Sequence, residues 1–384
     1  MPVHPWFDAR RGEFSAWRRD IHAHPELGFQ EHRTSDLVAA KLQQWGIEVH
    51  RGIGGTGLVG VLRGSRPGPG ALGLRADMDA LPMQERTGLP HRSTHDGRFH
   101  GCGHDGHTAI LLATAQYLAL HNDYAGTVHF IFQPAEETLS GASAMIDDGL
   151  FERFRCDEIY GLHNNPMLGT GRVGVRAGPV LSAGDVFRIR VQGVGSHGAA
   201  PHKGNDPITV ACQLAGMLQT MVSRSIDPLD AAVISVGTFH AGTAPNVIPD
   251  QVELQGTVRS LSAVGRDTVL RRMREICGGL AQAHCTTIDC EFELGCPPTI
   301  NAAEPAAAVA RAAARVVGAA SVDDQVTPLM ASEDFSFMLQ QRPGAYFFVG
   351  QDGPFCHHPE FDFDDEILPI GASVFAEIVY DRLR

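Results

Sequence analysis

Two adjacent carboxylates, Glu136 and Glu137, close the apolar run GTVHFIFQPAEE, and upstream the cluster GCGHDGH gathers Cys102, His104, Asp105 and His107. Thiol, imidazole and paired carboxylates in that arrangement point to a metal-dependent hydrolase, in which one glutamate binds metal and its neighbour handles the proton of a water. Cys102 and His104 sit two apart between glycines, and Gly101 and Gly103 let the backbone turn sharply enough for both donors to converge. A thiolate beside an imidazole suits Zn²⁺ or a similar transition ion far better than Mg²⁺ or Ca²⁺. His163 ends another apolar run, EIYGLH, and is the next candidate ligand. His357 and His358 in FCHHPEF follow the run AYFFVG, and spacing does not choose between them. Asp77 and Asp79, leaving LRADMDALP, fit either ligation or support of a ligand imidazole. His22, His24, His91, His95 and His100 have no comparable setting and read as structural or exposed.

Two other motifs carry less. GIGGTG (Gly52, Gly54, Gly57) matches a dinucleotide fingerprint as a string, but a strand-like run follows where that fingerprint requires a helix. Ser196 in GVGSHGAAP lacks the strand–turn–helix setting of a nucleophile elbow and has no Asp partner at a recognisable spacing, which disfavours a serine hydrolase.

The donors need a scaffold, and the patterning supplies an α/β one. Runs at 58–64, 71–77, 128–134 and 158–163 read as buried strands, with helical patterns at 31–45, 107–121 and 141–148 between them. Chemistry is then expected at the strand ends. GSRPGPG (64–70) reads as an exposed loop. From about 183 to 295 the order becomes strand, helix, strand, strand, helix, strand, the ferredoxin-like split unit, and it reads as a complete inserted domain. The first domain then resumes with an Ala-rich helix at 303–317, the strand AYFFVG and a closing helix near 367–383. The predicted division is 1–182, 183–295 and 296–384, the outer pieces forming one domain. A chain of 384 residues, 43% hydrophobic, is too long for one modest core.

Composition excludes several classes of function. The formal charge of −13 opposes binding to nucleic acid or to an anionic membrane. No stretch of 18 or so apolar residues occurs, and the opening MPVHPWFDARRGEFSAWRRD has no apolar core of a signal peptide, so a cytoplasmic location is expected. The eight cysteines lack CxxC spacing and read mostly as buried thiols, not as a disulfide framework.

The motifs RRDIHAHPELGFQE, RADMDALP, GCGHDGHTA, QPAEE, GLH, GSHGAAPH, APNVIPD and CHHPEF, in that order, resemble the M20 amidohydrolase/peptidase family, especially its hippurate hydrolases, N-acyl-amino-acid amidohydrolases and indole-acetyl-amino-acid hydrolases. The resemblance spans nearly the whole chain. It implies a mixed-sheet catalytic domain holding two divalent ions, Zn²⁺ or Mn²⁺ with Co²⁺ or Ni²⁺ as alternatives, and an inserted lid that also dimerises. Carried over by position, Cys102 matches the bridging ligand, His104, Glu137, His163 and His357 match the other ligands, and Glu136 matches the general base. In the inserted domain His197 matches a histidine that stabilises the transition state from a neighbouring subunit, while Asn246 and Arg259 match groups that hold the substrate's carboxylate. Arg75 replaces the histidine of the wider family's H-x-D motif, leaving the role of Asp77 open. The implied activity is hydrolysis of an N-acyl-L-amino acid to a carboxylic acid and a free amino acid, by a homodimer or homotetramer. A metal-dependent dipeptidase or carboxypeptidase is the alternative, and a non-catalytic binding protein of the same fold a third reading.

Overall fold

The computed structural model describes residues 5–384, which separate into two compact units. One comprises the residues through Val180 together with Ile300–Thr327 and Asp334–Arg384; the other comprises Leu181–Thr299 and Pro328–Glu333. Where the sequence reading ends the insertion at 295, the second unit runs to Thr299 and takes in a short later return, Pro328–Glu333.

In chain order the strands of the two larger sheets are β1 (Glu48–Ile53), β2 (Gly57–Arg63), β3 (Arg66–Asp77), β4 (Ala125–Gln133), β5 (Glu158–Asn165), β6 (Val173–Gly174), β7 (Ala183–Gln192), β8 (Ala232–Ala241), β9 (Gln251–Ser260), β10 (Thr287–Leu294), β11 (Val322–Asp323) and β12 (Gly344–Gly350). The helices used below are α1 (Arg11–Ala23), α2 (His32–Gln44), α3 (His104–Leu120), α4 (Gly141–Asp147), α5 (Pro207–Ser225), α6 (Ala263–Ala283), α7 (Ala303–Val317), α8 (Phe335–Gln341) and α9 (Leu368–Arg382).

The first unit is built on an eight-stranded mixed sheet in the order β1-β2-β4-β3-β5-β12-β6-β11. Its centre is parallel: β3 runs with β4 and β5, and β5 with β12. Strands buried on both faces need near-continuous apolar sequence, and β12 is buried at all seven positions. Helix α3 is apolar on every side, with Ile110, Leu111 and Leu112 fully buried, so it belongs inside the fold and not on its surface. Parallel strands deliver their C-terminal ends to one edge. Asp77 pairs with Gln133 and Asn165 with Gly350, so the loops leaving β3, β4, β5 and β12 all emerge on that edge. Two expectations are corrected. Residues 66–70 of GSRPGPG, exposed through Pro69, extend β3, with an irregular register between Arg66 and Ala71 that accommodates Pro67 and Pro69. Helix α3 begins at His104, three residues before the expected start, because Gly103 completes the turn.

The second unit is an antiparallel sheet in the order β8-β9-β7-β10, with strand–helix–strand–strand–helix–strand connectivity. Alternating burial along β7 and β9 puts Phe187, Ile189, Val191, Val252, Leu254 and Val258 into one core with Val210, Leu214 and Leu218 of α5 and Val269 and Met273 of α6. Both helices are capped by sequence signals: Asp206 accepts from the Ile208 amide ahead of Pro207, and Ser262 accepts from Gly265.

Candidate metal centre

The loop before α3 is shaped by Gly103. Its φ of +102° is unfavourable for other residues, and a Cβ there would lie 2.3 Å from Asn164 Oδ1. The turn puts Cys102 and His104, both buried, at the rim of the sheet. Behind them α3 is anchored to α1: His22 Nδ1 lies 2.8 Å from Asp105 Oδ2, and the buried Arg18 guanidinium 3.5 Å from the same oxygen. Burial opposes charge on both members of the pair. Their mutual attraction outweighs it, raising His22 to about 9 and holding Asp105 well below the usual carboxylate range. His22, read from sequence as structural or exposed, is the buried partner of the helix that carries His104.

The turn after β4 is held from the other side. Ala135 has φ +51°, its amide donates to Glu31 Oε1 at 2.8 Å, and Glu31 Oε2 accepts from the Thr56 hydroxyl at 2.5 Å. Glu31 closes the motif HPELGFQE, so that motif serves the glutamate pair. Asp79 ties the two clusters together, with Oδ1 3.2 Å from His104 Nδ1 and Oδ2 accepting from the Glu137 amide at 3.0 Å. Asp77 lies one layer deeper, 2.6 Å from His107 Nδ1 and 2.7 Å from Arg75 Nη1. His107 Nε2 is 2.8 Å from Asn164 Oδ1, so both its nitrogens are occupied within the protein. The geometry gives Asp77 and Asp79 supporting positions. Arg75 stands between β3 and the far side of the site, its Nε donating to Gln133 at 2.8 Å and its Nη2 reaching Asp334 at 3.2 Å.

The five residues matched to ligands converge. Cys102 Sγ lies 3.3 Å from His163 Nε2, His357 Nε2 lies 3.4 Å from Glu137 Oε2, and His104 Nε2 lies 3.9 Å from Glu137 Oε1 and 3.8 Å from Glu136 Oε2. Donor atoms fall within 4.8 Å of one another in overlapping sets, among them Cys102, Glu137 and His357; His104, Glu136 and Glu137; and Cys102, His163 and Cys356. His357 has φ +68°, an uncommon conformation for a histidine, and its own amide donates to the Gly101 carbonyl at 2.8 Å. His358 is exposed, and its Nδ1 accepts from the Glu360 amide at 3.2 Å.

Two atoms at the centre of this convergence, His104 Nε2 and Glu137 Oε1, are buried without a hydrogen-bond partner. Such atoms are costly unless something else meets them, and a cation does so. Two of the ligands already hold the charge state a metal requires. Asp77 and Asp79, against burial, hold His104 protonated, and Cys356 together with burial holds Cys102 as a thiol, so metal binding would release protons at those two. Burial alone would raise the Glu137 carboxyl, but the hydrogen bond with His357 and the nearby His104 bring it below its usual range. Burial, reinforced by His107, pushes His163 well below the usual imidazole value, leaving it neutral as a metal ligand must be. The residues present therefore fit a pair of neighbouring divalent ions, with Cys102 belonging to more than one donor set.

The residues matched in the second unit lie in a different setting. His197 and Asn246 are exposed and adjacent: Ser196–His197 forms a two-residue antiparallel ladder with Val247–Ile248, and the Gly198 amide donates to the Asn246 carbonyl at 2.8 Å. Arg259 sits on β9 between Val233 and Gly184 and is half-buried. Sequence reasoning passed over Glu31, Arg18, Asp334 and Cys356. Arg75 alone carried a signal, as a charge within an apolar strand.

Residues 73–381 match the model of peptidase family M20/M25/M40. The chain is 42% identical to a hippurate hydrolase from Campylobacter jejuni, covering 97% of each chain, and 39% identical to a thermostable carboxypeptidase from Saccharolobus solfataricus, covering 94% of this chain and 92% of the other. Its fold superposes with a TM-score of 0.86 on a dinuclear metal-binding peptidase of the M20 family from Bacillus subtilis, 34% identical, covering 98% and 99% of the two chains.

Proposed function

Since the chain belongs to peptidase family M20/M25/M40, and is a metal-dependent hydrolase acting on amide bonds, we propose that it cleaves N-acyl-L-amino acids, with aromatic acyl groups such as the benzoyl of hippurate first among them. The observation that carries this reading is the convergence of the Cys102, His104, Glu137, His163 and His357 donors beside a further carboxylate, Glu136, at a rim with two orphaned polar atoms.

Two divalent ions held by the five ligands, Zn²⁺ or Mn²⁺ with Co²⁺ or Ni²⁺ as alternatives, would supply Lewis acidity toward the water and the acyl oxygen. Glu136 takes the proton of the attacking water and passes it to the departing amine, so the carboxylate is regenerated in each turnover. Cleavage adds one water across the C–N bond and yields a carboxylic acid and an amino acid. His197 donates to the oxyanion, acting from a neighbouring subunit at this chain's centre, and the second unit serves as lid and dimerisation surface. Asn246 and Arg259 hold the carboxylate of the amino-acid half, for which the planar guanidinium is suited. The protein works as a homodimer or homotetramer on small molecules in the cytoplasm. The free state of all eight cysteines supports a reducing compartment, and no helix among the described residues is long and apolar enough to cross a membrane.

The carboxypeptidase relative favours one second reading. A hippurate hydrolase and a carboxypeptidase both cut an amide whose amine half carries a free carboxylate, so they differ in the acyl side alone. Purified, metal-analysed protein assayed on N-benzoyl, N-acetyl and N-indoleacetyl amino acids beside dipeptides and N-blocked dipeptides separates them. Higher kcat/KM on the simple acyl amino acids is expected. Preference for peptides would assign the peptidase reading, and no hydrolysis of either series by metal-loaded protein would reject both.

A further inference from the structure

Cys356 has no part in the ligand set above, yet it stands inside it. Its Sγ, the Sγ of Cys102 and a ring nitrogen of His163 all lie within 4.8 Å of one another. Sulfur and nitrogen ligands of one zinc-like ion, at about 2.3 and about 2.0 Å from it, stand at most roughly 4.3 to 4.6 Å apart. Cys102 Sγ and His163 Nε2, at 3.3 Å, lie inside that limit, and the 4.8 Å bound on the whole triangle is within a few tenths of an ångström of it. The segment is fixed in place, because the His357 amide donates to the Gly101 carbonyl at 2.8 Å and lays Cys356 beside Cys102. The sulfur makes only long contacts with other groups: Asn164 Nδ2 at 3.7 Å, and the Cys102 carbonyl oxygen at 3.7 Å. A thiol in ordinary core packing has no need of a second sulfur and an imidazole turned toward it.

We propose that Cys356 is itself a metal ligand, sharing one of the two ions with Cys102 and His163, and that this second thiolate makes the centre favour soft ions such as Zn²⁺ and Co²⁺ over Mn²⁺. On binding, the thiol gives up its proton to solvent and the sulfur becomes a ligand. Thiolates favour the softer ions and carboxylates the harder ones, so a centre with two sulfurs moves away from manganese. The inference rests on the reading of Cys102 as a bridging ligand. With Cys102 counted on both ions, the pair carries three metal–sulfur bonds where the five-residue set provides two.

The test is a titration of metal-free protein with Cd²⁺ and, separately, Mn²⁺ under anaerobic conditions. Thiolate-to-cadmium absorption and ion content are measured for the wild type, Cys356→Ser and Cys102→Ser. Cys356→Ser is expected to keep two ions but lose about one third of the absorption, and its preference for Cd²⁺ over Mn²⁺ should fall by about tenfold or more. Wild-type absorption and preference in Cys356→Ser, with both lost in Cys102→Ser, would overturn the role of Cys356 while leaving the centre as read. Absence of any thiolate absorption in the metal-loaded wild type would reject the bridging assignment of Cys102 as well. Should Cys356→Ser fail to fold, X-ray absorption on zinc-loaded wild type decides the matter, since three sulfur bonds per two zincs support the proposal and two refute it.

Discussion

The rim of the first unit and the turn carrying His197 in the second are both sites of candidate chemistry, yet they are built by opposite means. At the rim, His104, Asp77, Asp79 and His107 are buried, and each is fixed by at least one other polar side chain. On the turn, His197 and Asn246 are exposed and joined chiefly by a two-residue ladder. Burying so many ionisable groups is tolerable only when they compensate one another and a cation meets what remains, so the rim is organised before substrate arrives. The turn carries no comparable investment. In the proposed function its residues act only through the subunit or substrate that docks against them.

The most severe break of this contrast is Glu136→Gln. Activity should fall by about 10²-fold or more while two ions remain by elemental analysis, because in the proposed mechanism the carboxylate acts on water and is not an essential ligand. Parallel loss of metal would reverse the roles of Glu136 and Glu137. Mixing this variant with inactive His197→Ala under subunit exchange should restore activity, since in the proposed arrangement a mixed dimer would hold one complete site. If mass spectrometry verifies exchange and no activity returns, His197 does not act across subunits.

Asp79→Asn should lower metal affinity or activity by about 10- to 100-fold, the usual cost of losing a group that orients a ligand, with the protein still folded by circular dichroism. Unchanged metal binding would show that the rim does not depend on its supporting layer. On the other side of the comparison, Arg259→Ala should cost roughly 1.5 to 3 kcal/mol in binding an acyl amino acid and little for its carboxamide analogue. Equal effects on the two substrates would make Arg259 structural.

His129 on β4 sharpens the contrast with a smaller effect. Its Nδ1 is also buried and without a hydrogen-bond partner, but no ring of donors surrounds it. Burial lowers its pKa from 6.5 to about 4. The unfolded chain therefore takes up a proton below pH 6.5 that the folded chain refuses, so the stability present above pH 6.5 is progressively lost as the pH falls toward 4. The loss should be about 1 to 2 kcal/mol, less than the full linkage value because His129 lines an open surface pocket with His50, Arg63 and Arg155. Denaturant titrations of wild type and His129→Phe at pH 7 and pH 4.5 measure it. A pH dependence that survives the substitution assigns the effect to other groups.

Much of the fold was legible because local patterns and tertiary demands agree. The strands β2, β4, β5 and β12 announce themselves as apolar runs, and the alternation in QVELQGTVRS gives β9 its boundaries. The segment at 66–70 was misread because Gly and Pro signal turns, whereas here they sit in an exposed strand extension with irregular pairing. Cys102, His104 and the Glu136–Glu137 pair stood out because their types are rare in such spacing, whereas His357 was preferred to His358 only through the family resemblance. Asp77 and Asp79 were open to being read as supports, but the more distant supports were not, because Asp334 follows Glu137 by almost two hundred residues and Arg18 precedes Asp105 by more than eighty. No periodicity carries information across such separations.

The central sheet also imposes a timetable on synthesis. Strand β12 pairs with both β5 and β6, but the ribosome makes it only after the whole second unit has emerged. At about 5 to 20 residues per second, the interval between Asn165 and Gly344 lasts roughly ten to forty seconds. During that time the nascent chain has an apolar gap in its sheet and no His357, and it is the stage at which aggregation or capture by a chaperone competes most directly with folding. With His357 as a proposed ligand, complete metal loading would wait for the last tenth of the polypeptide.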